Sequence, residues 1–395
     1  MTAKRLWLPV LLACAGQAQA VDFSGYVGAQ QRWFYDTPAD PRQGDAPTAF
    51  NLEPEWFVDW NDGDDQLTFK PYLRFDSDDD ERSHGDIREL YWLHVEDSWE
   101  VGVGISKVFW GVTESQHLVD IVNQTDLVEA PDGEEKLGQP MVRWSTIQDW
   151  GALDLFLLPG FRERTFPGDE GRLRAQVPIE EDDARYESAA GDKHVDIAGR
   201  WVQTLGNWDV GASFFHGTNR EPDFVAETRG GQTVLLPWYR QVTQYGIDAQ
   251  VIYGEWLWKF EGIYRHGGSK DFGAVTGGFE YTRYGVFDRI WDLGWLAEYS
   301  HDTRDEQSTT GLQNDLFVGA RLAFNDAASS EVLMGISQDL DNSNSASGKV
   351  EASTRIGSAT KVYFEVWYFD SDDPRDPFYP LRQDSFVELS VEYYY

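Results

Sequence analysis

Asp384-Ser385-Phe386-Val387-Glu388-Leu389-Ser390-Val391-Glu392-Tyr393-Tyr394-Tyr395 closes the chain, and its alternation decides the fold. Val387, Leu389, Val391, Tyr393 and Tyr395 share one parity; Phe386, Glu388, Ser390, Glu392 and Tyr394 share the other. A period of two with one apolar and one largely polar face is a β-strand. Two glutamates facing a sandwich core would be costly. They suit a strand with lipid on one side and water on the other.

The other end carries a different signal. Residues 1–20 read as a cleaved secretory signal peptide, leaving residues 21–395 as a single domain. Lys4 and Arg5 form the basic head, Leu6 to Ala15 the short apolar run, and Ala18-Gln19-Ala20 the small-x-small cleavage site. The run is about half the roughly 20 residues a membrane helix needs. Leu11-Leu12-Ala13-Cys14 offers a rival lipoprotein site, which Leu12 fits poorly. Cys14 is the only cysteine, so the mature chain has no disulfide, thiolate zinc site or thiol nucleophile. The chain's formal charge is −35, and removing Lys4 and Arg5 makes it −37. That excludes nucleic acid as a partner. Disorder, the other reading of such acidity, fails against 15% aromatic residues.

Between the ends, runs of about ten alternating residues recur, and the chain reads as all-β. They start at Asp22–Tyr35, Phe50–Asn61, Gln66–Asp76, Ile87–Glu96 and Trp99–Trp110, and continue to the last strand for a total of 18. Sixteen is the alternative, because Met141–Ile147 and Ala152–Pro159 are short. Pro54 and Pro71 are weak points, since proline gives no ladder donor. Connections alternate between short (62–65, 97–98, 206–207, 357–359) and long (36–49, 111–139, 160–193, 218–240). A soluble sandwich or propeller pair has no reason to sort its loops by parity. An antiparallel up-and-down transmembrane barrel does.

An aromatic last residue on such a strand resembles the assembly signal of Gram-negative outer-membrane β-barrels, and the loop plan resembles the porins. The resemblance implies export to the bacterial outer membrane and contact with its lipid and lipopolysaccharide. It also implies passive diffusion of small hydrophilic solutes, and often a homotrimer. The third outer loop, Gly111–Gln139, would then be the constriction loop, with Glu114, His117, Asp120 and Asp126 lining the narrowing; a surface cap is the alternative. Within it, Thr113-Glu114-Ser115-Gln116 has capping-box spacing, and Leu118, Ile121 and Val122 fall at helical intervals. These predict a short helix over Glu114–Val122.

Inward parity gives the pore-lining set. Lys70, Arg74, Arg88, Arg143, Arg200, Lys259, Arg265, Arg321 and Arg355 face Asp292, Glu298, Glu365, Glu388 and Glu392. Both signs across a lumen make a wet pore with a transverse field, and the net charge leans it toward cations. The acidic tips Asp78, Asp79 and Asp80, and Asp372 and Asp373, are the metal candidates, for Ca²⁺ or Mg²⁺ bridging to lipopolysaccharide. No other cofactor is implied. The seven histidines show no ligand spacing, and no nucleophile elbow or phosphate-cradling loop occurs. The chain reads as a channel rather than an enzyme, with a structural or adhesive barrel as the alternative and a barrel enzyme behind it.

Overall fold

The last strand, Phe386–Tyr394, pairs antiparallel with Thr360–Asp370 on one side and with the first strand, Asp22–Phe34, on the other. That second pairing closes the sheet. The computed structural model describes residues 20–304, 308 and 311–395; the expected leader up to residue 19, with Cys14, lies outside them.

In chain order the strands are β1 (Asp22–Phe34), β2 (Thr48–Trp60), β3 (Asp65–Asp76), β4 (Gly85–Val95), β5 (Trp99–Ser106), β6 (Gln139–Gln148) and β7 (Gly151–Pro159). Then come β8 (Arg185–Tyr186), β9 (Val195–Leu205), β10 (Trp208–Thr218), β11 (Asp223–Arg229), β12 (Gln232–Tyr239), β13 (Gln241–Tyr253) and β14 (Trp256–Gly267). The series ends with β15 (Phe272–Val286), β16 (Trp291–Asp302), β17 (Asn314–Ala323), β18 (Glu331–Asp339), β19 (Ala346–Ile356), β20 (Thr360–Asp370) and β21 (Phe386–Tyr394). Eighteen of them form one antiparallel up-and-down ring, β7 passing to β9 and β10 to β13. Both short strands expected near residues 140–159 belong to it, so the count is 18 and not 16. Ring closure leaves no unpaired edge.

The side-chain alternation holds strand by strand. On β21, Leu389, Val391 and Tyr393 point outward and are exposed, whereas Phe386 and Glu388 point in and are buried. Exposed aromatics gather toward both rims, with Phe23, Trp208, Tyr253 and Tyr393 near one and Phe50, Phe75, Tyr245 and Tyr264 near the other. Aliphatic residues such as Val27, Ile247, Val318 and Ile336 fill the band between. This is the outer surface of a transmembrane barrel: an apolar belt flanked by aromatic girdles.

The prolines sit where the ladder is already broken. Pairing between β2 and β3 lapses from Leu52–Leu73 to Trp56–Phe69, and β3 shifts register against β4 between Lys70 and Pro71. Gly25, opposite Pro54, has φ +149°, and a Cβ there would lie 2.5 Å from the Glu53 carbonyl oxygen. Only glycine lets the first strand pass so close to the second. The adjacent Tyr395 N–H donates to the Gly25 carbonyl at 3.1 Å, and the Tyr395 ring packs on Phe23 at 5.4 Å.

The connection 218–240, expected as a plain long loop, carries strands of its own. β11 and β12 form a hairpin across Gly230-Gly231, and β8 joins β12 in parallel to make a separate three-stranded sheet. Both glycines have positive φ, as a two-residue hairpin turn requires.

Candidate functional site: the segment inside the lumen

Residues 107–138 leave β5, turn into the barrel and pack on its inner wall. Trp110, Val119, Ile121 and Val122 of this segment are buried against Met141, Phe156, Phe215, Val242, Ile263 and Phe272, all on barrel strands. The apolar residues read as one face of a helix therefore do find a partner surface. The helix itself does not form.

Glu114–Val122 is irregular, which corrects the expected helix. The reason lies in where its amide donors go. Glu261, on β14 and fully buried, accepts from the N–H of Val112 (2.6 Å), Thr113 (3.0 Å) and Val119 (3.2 Å), and from the Thr113 hydroxyl (2.7 Å). Glu298, on β16, accepts from the N–H of Glu114 (2.9 Å) and Ser115 (2.8 Å) and from the Ser115 hydroxyl (2.7 Å). An α-helix leaves its first N–H groups without partners. Two carboxylates on the wall take those donors directly, and charge-assisted bonds outcompete a single marginal turn.

The far half of the segment is held with the opposite polarity. Here the wall supplies cations and the segment supplies carboxylates. Asp126, fully buried, meets Arg88 of β4 at 2.7 Å and accepts from the Thr165 hydroxyl at 2.9 Å. Glu129 is bound by Arg74 of β3 and by the Tyr72 hydroxyl at 3.1 Å. Arg32 of β1 donates to the Glu129 carbonyl at 3.0 Å and binds Glu388. Asp132 reaches Lys349 of β19 at 2.7 Å. With ties to β1, β3, β4, β14, β16 and β19, the segment spans the lumen instead of capping it from outside.

These contacts set the protonation of the segment's groups. Burial pulls the His117 imidazole down, but Glu134 and Glu261 more than reverse this and lift it to about 9. Burial pushes Asp126 up, and His84 and Arg88 overcome it, holding the carboxyl at about 2. Burial raises Asp120 despite Lys136 at 3.4 Å. His84, Asp126 and Glu129 also bring three potential metal-ligand atoms within 4.8 Å of one another. Arg74 and Arg88 already supply the positive charge there, so a cation would have to displace a guanidinium.

Glu114, His117 and Asp120 border a cavity of about 400 Å³ between the segment and the wall; Asp126 lies behind it, at the anchor. Of the wall residues, Arg265 borders the cavity directly. Lys259 and Arg321 reach it by clasping Glu114, at 3.5 and 2.8 Å. Arg74, Arg88, Glu298 and Glu388 are inside the barrel as expected but are consumed as anchors. Arg143 pairs with Asp154 at 2.7 Å, Arg200 with Asp248 at 2.9 Å and Lys70 with Glu55 at 2.8 Å. Nearer the short-turn rim, Asp292 accepts from Asn325 (2.7 Å), Glu392 from Tyr394 (2.6 Å), and Arg355 lies over the Tyr394 ring. Glu365 accepts from the Trp367 indole at 3.0 Å.

Strand parity found the wall side of this site. It missed Glu261, Arg220, Lys349 and Arg164, although the first three had inward parity or a loop-end position. Glu261 carries a legible signal, being an acid on a strand whose aromatics Phe260 and Tyr264 have the opposite parity. The acidic tips order loops: Asp79 accepts from the N–H of Gly168 at 3.1 Å, Asp372 from Asn344 at 2.7 Å, and Asp373 pairs with Arg375 at 2.7 Å.

No protein-family model and no curated protein matches the chain. Among solved structures it is similar to a triple mutant of Rhodopseudomonas blastica porin, with 12% identity and a TM-score of 0.44, covering 95% of this chain and 100% of that one. A loop-deletion mutant of OmpT, an outer membrane protein of Vibrio cholerae, is 11% identical with a TM-score of 0.48, covering 96% of this chain and 100% of that one. Likenesses this distant add nothing to the closed sheet, whose porin-like plan rests on its own strands and lumenal segment.

Proposed function

We propose that the chain is a passive outer-membrane channel, not an enzyme, through which small hydrophilic solutes diffuse past residues 107–138. The observation that supports this most is the lumen: a segment strapped across it by charged side chains, leaving a cavity of about 400 Å³ bordered by both charged and apolar side chains beside it. A barrel built only as a scaffold gains nothing from burying so many ions. Charged groups facing each other at a narrowing are how pores sort solutes. Glu114, His117 and Asp120 are assigned the constriction, with Arg265 opposite.

Six carboxylates and six Lys or Arg side chains border the cavity, so the narrowing itself has little net sign. The cation preference suggested by the chain's net charge is assigned to the acidic outer loops, where salt screens it. Divalent cations bridging Asp78–Asp80 and Asp372–Asp373 to lipopolysaccharide, a leader cleaved after Ala20, and a homotrimer belong to the same proposal. Planar bilayers test the core of it. Purified protein should give discrete unitary steps, with a small cation-directed reversal potential in a dilute salt gradient that shrinks as salt rises. A membrane that stays silent at high protein load removes the channel reading.

A further inference from the structure

Four arginines from different parts of the chain border the same cavity: Arg164, Arg220, Arg265 and Arg304. Three have carboxylates assigned to them. Arg220 pairs with Asp196 at 2.7 Å, Arg304 with Asp302 at 2.6 Å, and Arg265 with Glu221 at 3.3 Å. Arg164 has none: among the described residues no carboxylate comes within 4.0 Å of its guanidinium. Its side chain makes one long bond, from Nε to the Gln124 side-chain oxygen at 3.4 Å.

Yet Arg164 is not a loose surface residue. Its backbone N–H donates to the hydroxyl of fully buried Tyr239 at 3.0 Å, which fixes the strap 160–194 at this point. Neighbouring Thr165 is tied to Asp126 at the segment's anchor. The backbone is thus held while the residue borders the cavity and, among the described residues, only its Nε is engaged by a side chain. Arginine keeps its charge under all ordinary conditions, and a fork of parallel N–H donors matches a planar oxyanion. Leaving such a group half-buried with no carboxylate in contact, and only the more distant Glu221 acting on it, is costly unless something arrives to pair with it.

We propose that Arg164 is a docking point for the carboxylate of a small organic monoanion travelling through the lumen. One spare cation matches one negative charge. A second would meet Glu114, Asp132 and Glu134 across the cavity, so a dianion is disfavoured. The same cavity offers apolar surface in Phe109, 60% exposed and edge-on to His117, and in Phe317 and Leu333. A volume of about 400 Å³ lies within the range of small-molecule sites, so the ligand class is a monocarboxylate with a compact apolar body.

This assignment rests on the channel reading for its biological sense but not for its chemistry, and two measurements on one preparation separate them. Detergent-solubilised protein titrated calorimetrically with benzoate should bind it, and Arg164→Gln should weaken binding at least about tenfold, the loss of one charge-assisted fork. Arg164→Lys should fall between them, and inorganic phosphate should bind more weakly than benzoate. No benzoate binding by the parent protein, equal binding by Arg164→Gln, or tighter binding of phosphate would overturn the inference. Unitary conductance steps without benzoate binding defeat the docking point and leave the channel standing. Benzoate binding without steps does the reverse.

Discussion

The two halves of the lumenal segment are fastened by opposite chemistries. In residues 111–122 the protein wall offers carboxylates, Glu261 and Glu298, and the segment offers backbone N–H groups. In residues 126–136 the wall offers Arg74, Arg88 and Lys349, and the segment offers side-chain carboxylates. The first arrangement fixes the chain path itself, because five backbone N–H groups donate to the two carboxylates and only the Thr113 and Ser115 hydroxyls join them. The second holds mainly side chains, with a few arginine bonds to backbone carbonyls such as that of Glu129, and it includes ties at the cavity's edge that water and salt can reach. The near half should therefore behave as a permanent part of the wall. The far half should respond to ionic strength.

Removing Glu261 should have the largest effect. Glu261→Ala leaves three backbone donors without an acceptor, the Thr113 hydroxyl keeping the Gln116 carbonyl at 2.6 Å; the cost is on the order of 3–9 kcal/mol at about 1–3 kcal/mol each. The near half should swing free and unitary conductance should rise at least twofold while the barrel stays heat-resistant on gels. Arg88→Met comes next, because it strands Asp126 as a buried, weakly compensated charge. Breaking one side of a buried pair costs roughly 3–5 kcal/mol, so the far half should become protease-sensitive in detergent.

Alkali should distinguish the halves without mutation. His117 is lifted to about 9 from an ordinary value near 6.5, so its contribution is complete below about 6.5 and is lost as pH rises through about 9. Asp126 is held down to about 2, so its contribution is present above about 4 and disappears only as pH falls through about 2. Conductance noise should therefore grow between neutral pH and about 9.5, whereas the Asp126 anchor itself should hold in acid down to about 4. His117→Gln should abolish the alkaline change; an unaltered profile in that variant would show that another group is responsible. The smallest effect belongs to Lys349→Met. The pair with Asp132 is partly exposed and worth about 1 kcal/mol or less, so the variant should mimic high salt with only a slight rise in noise.

The barrel was legible in the sequence because its signal is repeated eighteen times: an error in one strand is corrected by the parity of the next. Even the short pair β6 and β7 could be placed this way. The lumenal segment has no such redundancy. Its apolar spacing correctly marked Leu118, Ile121 and Val122 as a packed face, but periodicity says nothing of long-range acceptors. Glu261 lies 142 residues beyond Val119, and its carboxylate converts a helical pattern into an irregular clasp. The hairpin β11–β12 was a different kind of miss. Gly230-Gly231 between two alternating runs is a hairpin signal in its own right, overlooked because the stretch fell where a long loop was expected. Arg164 was beyond sequence reasoning altogether, since what sets it apart is the carboxylate that does not face it.

The central claim is that residues 107–138 narrow an open pore, and one comparison tests it most directly. Single-channel conductance should be recorded in planar bilayers for the parent chain and for a variant lacking Glu114–Val122, both with intact, heat-resistant barrels. The account predicts discrete steps from both, with larger steps from the deletion. Steps of equal size, or none from either protein, would contradict it.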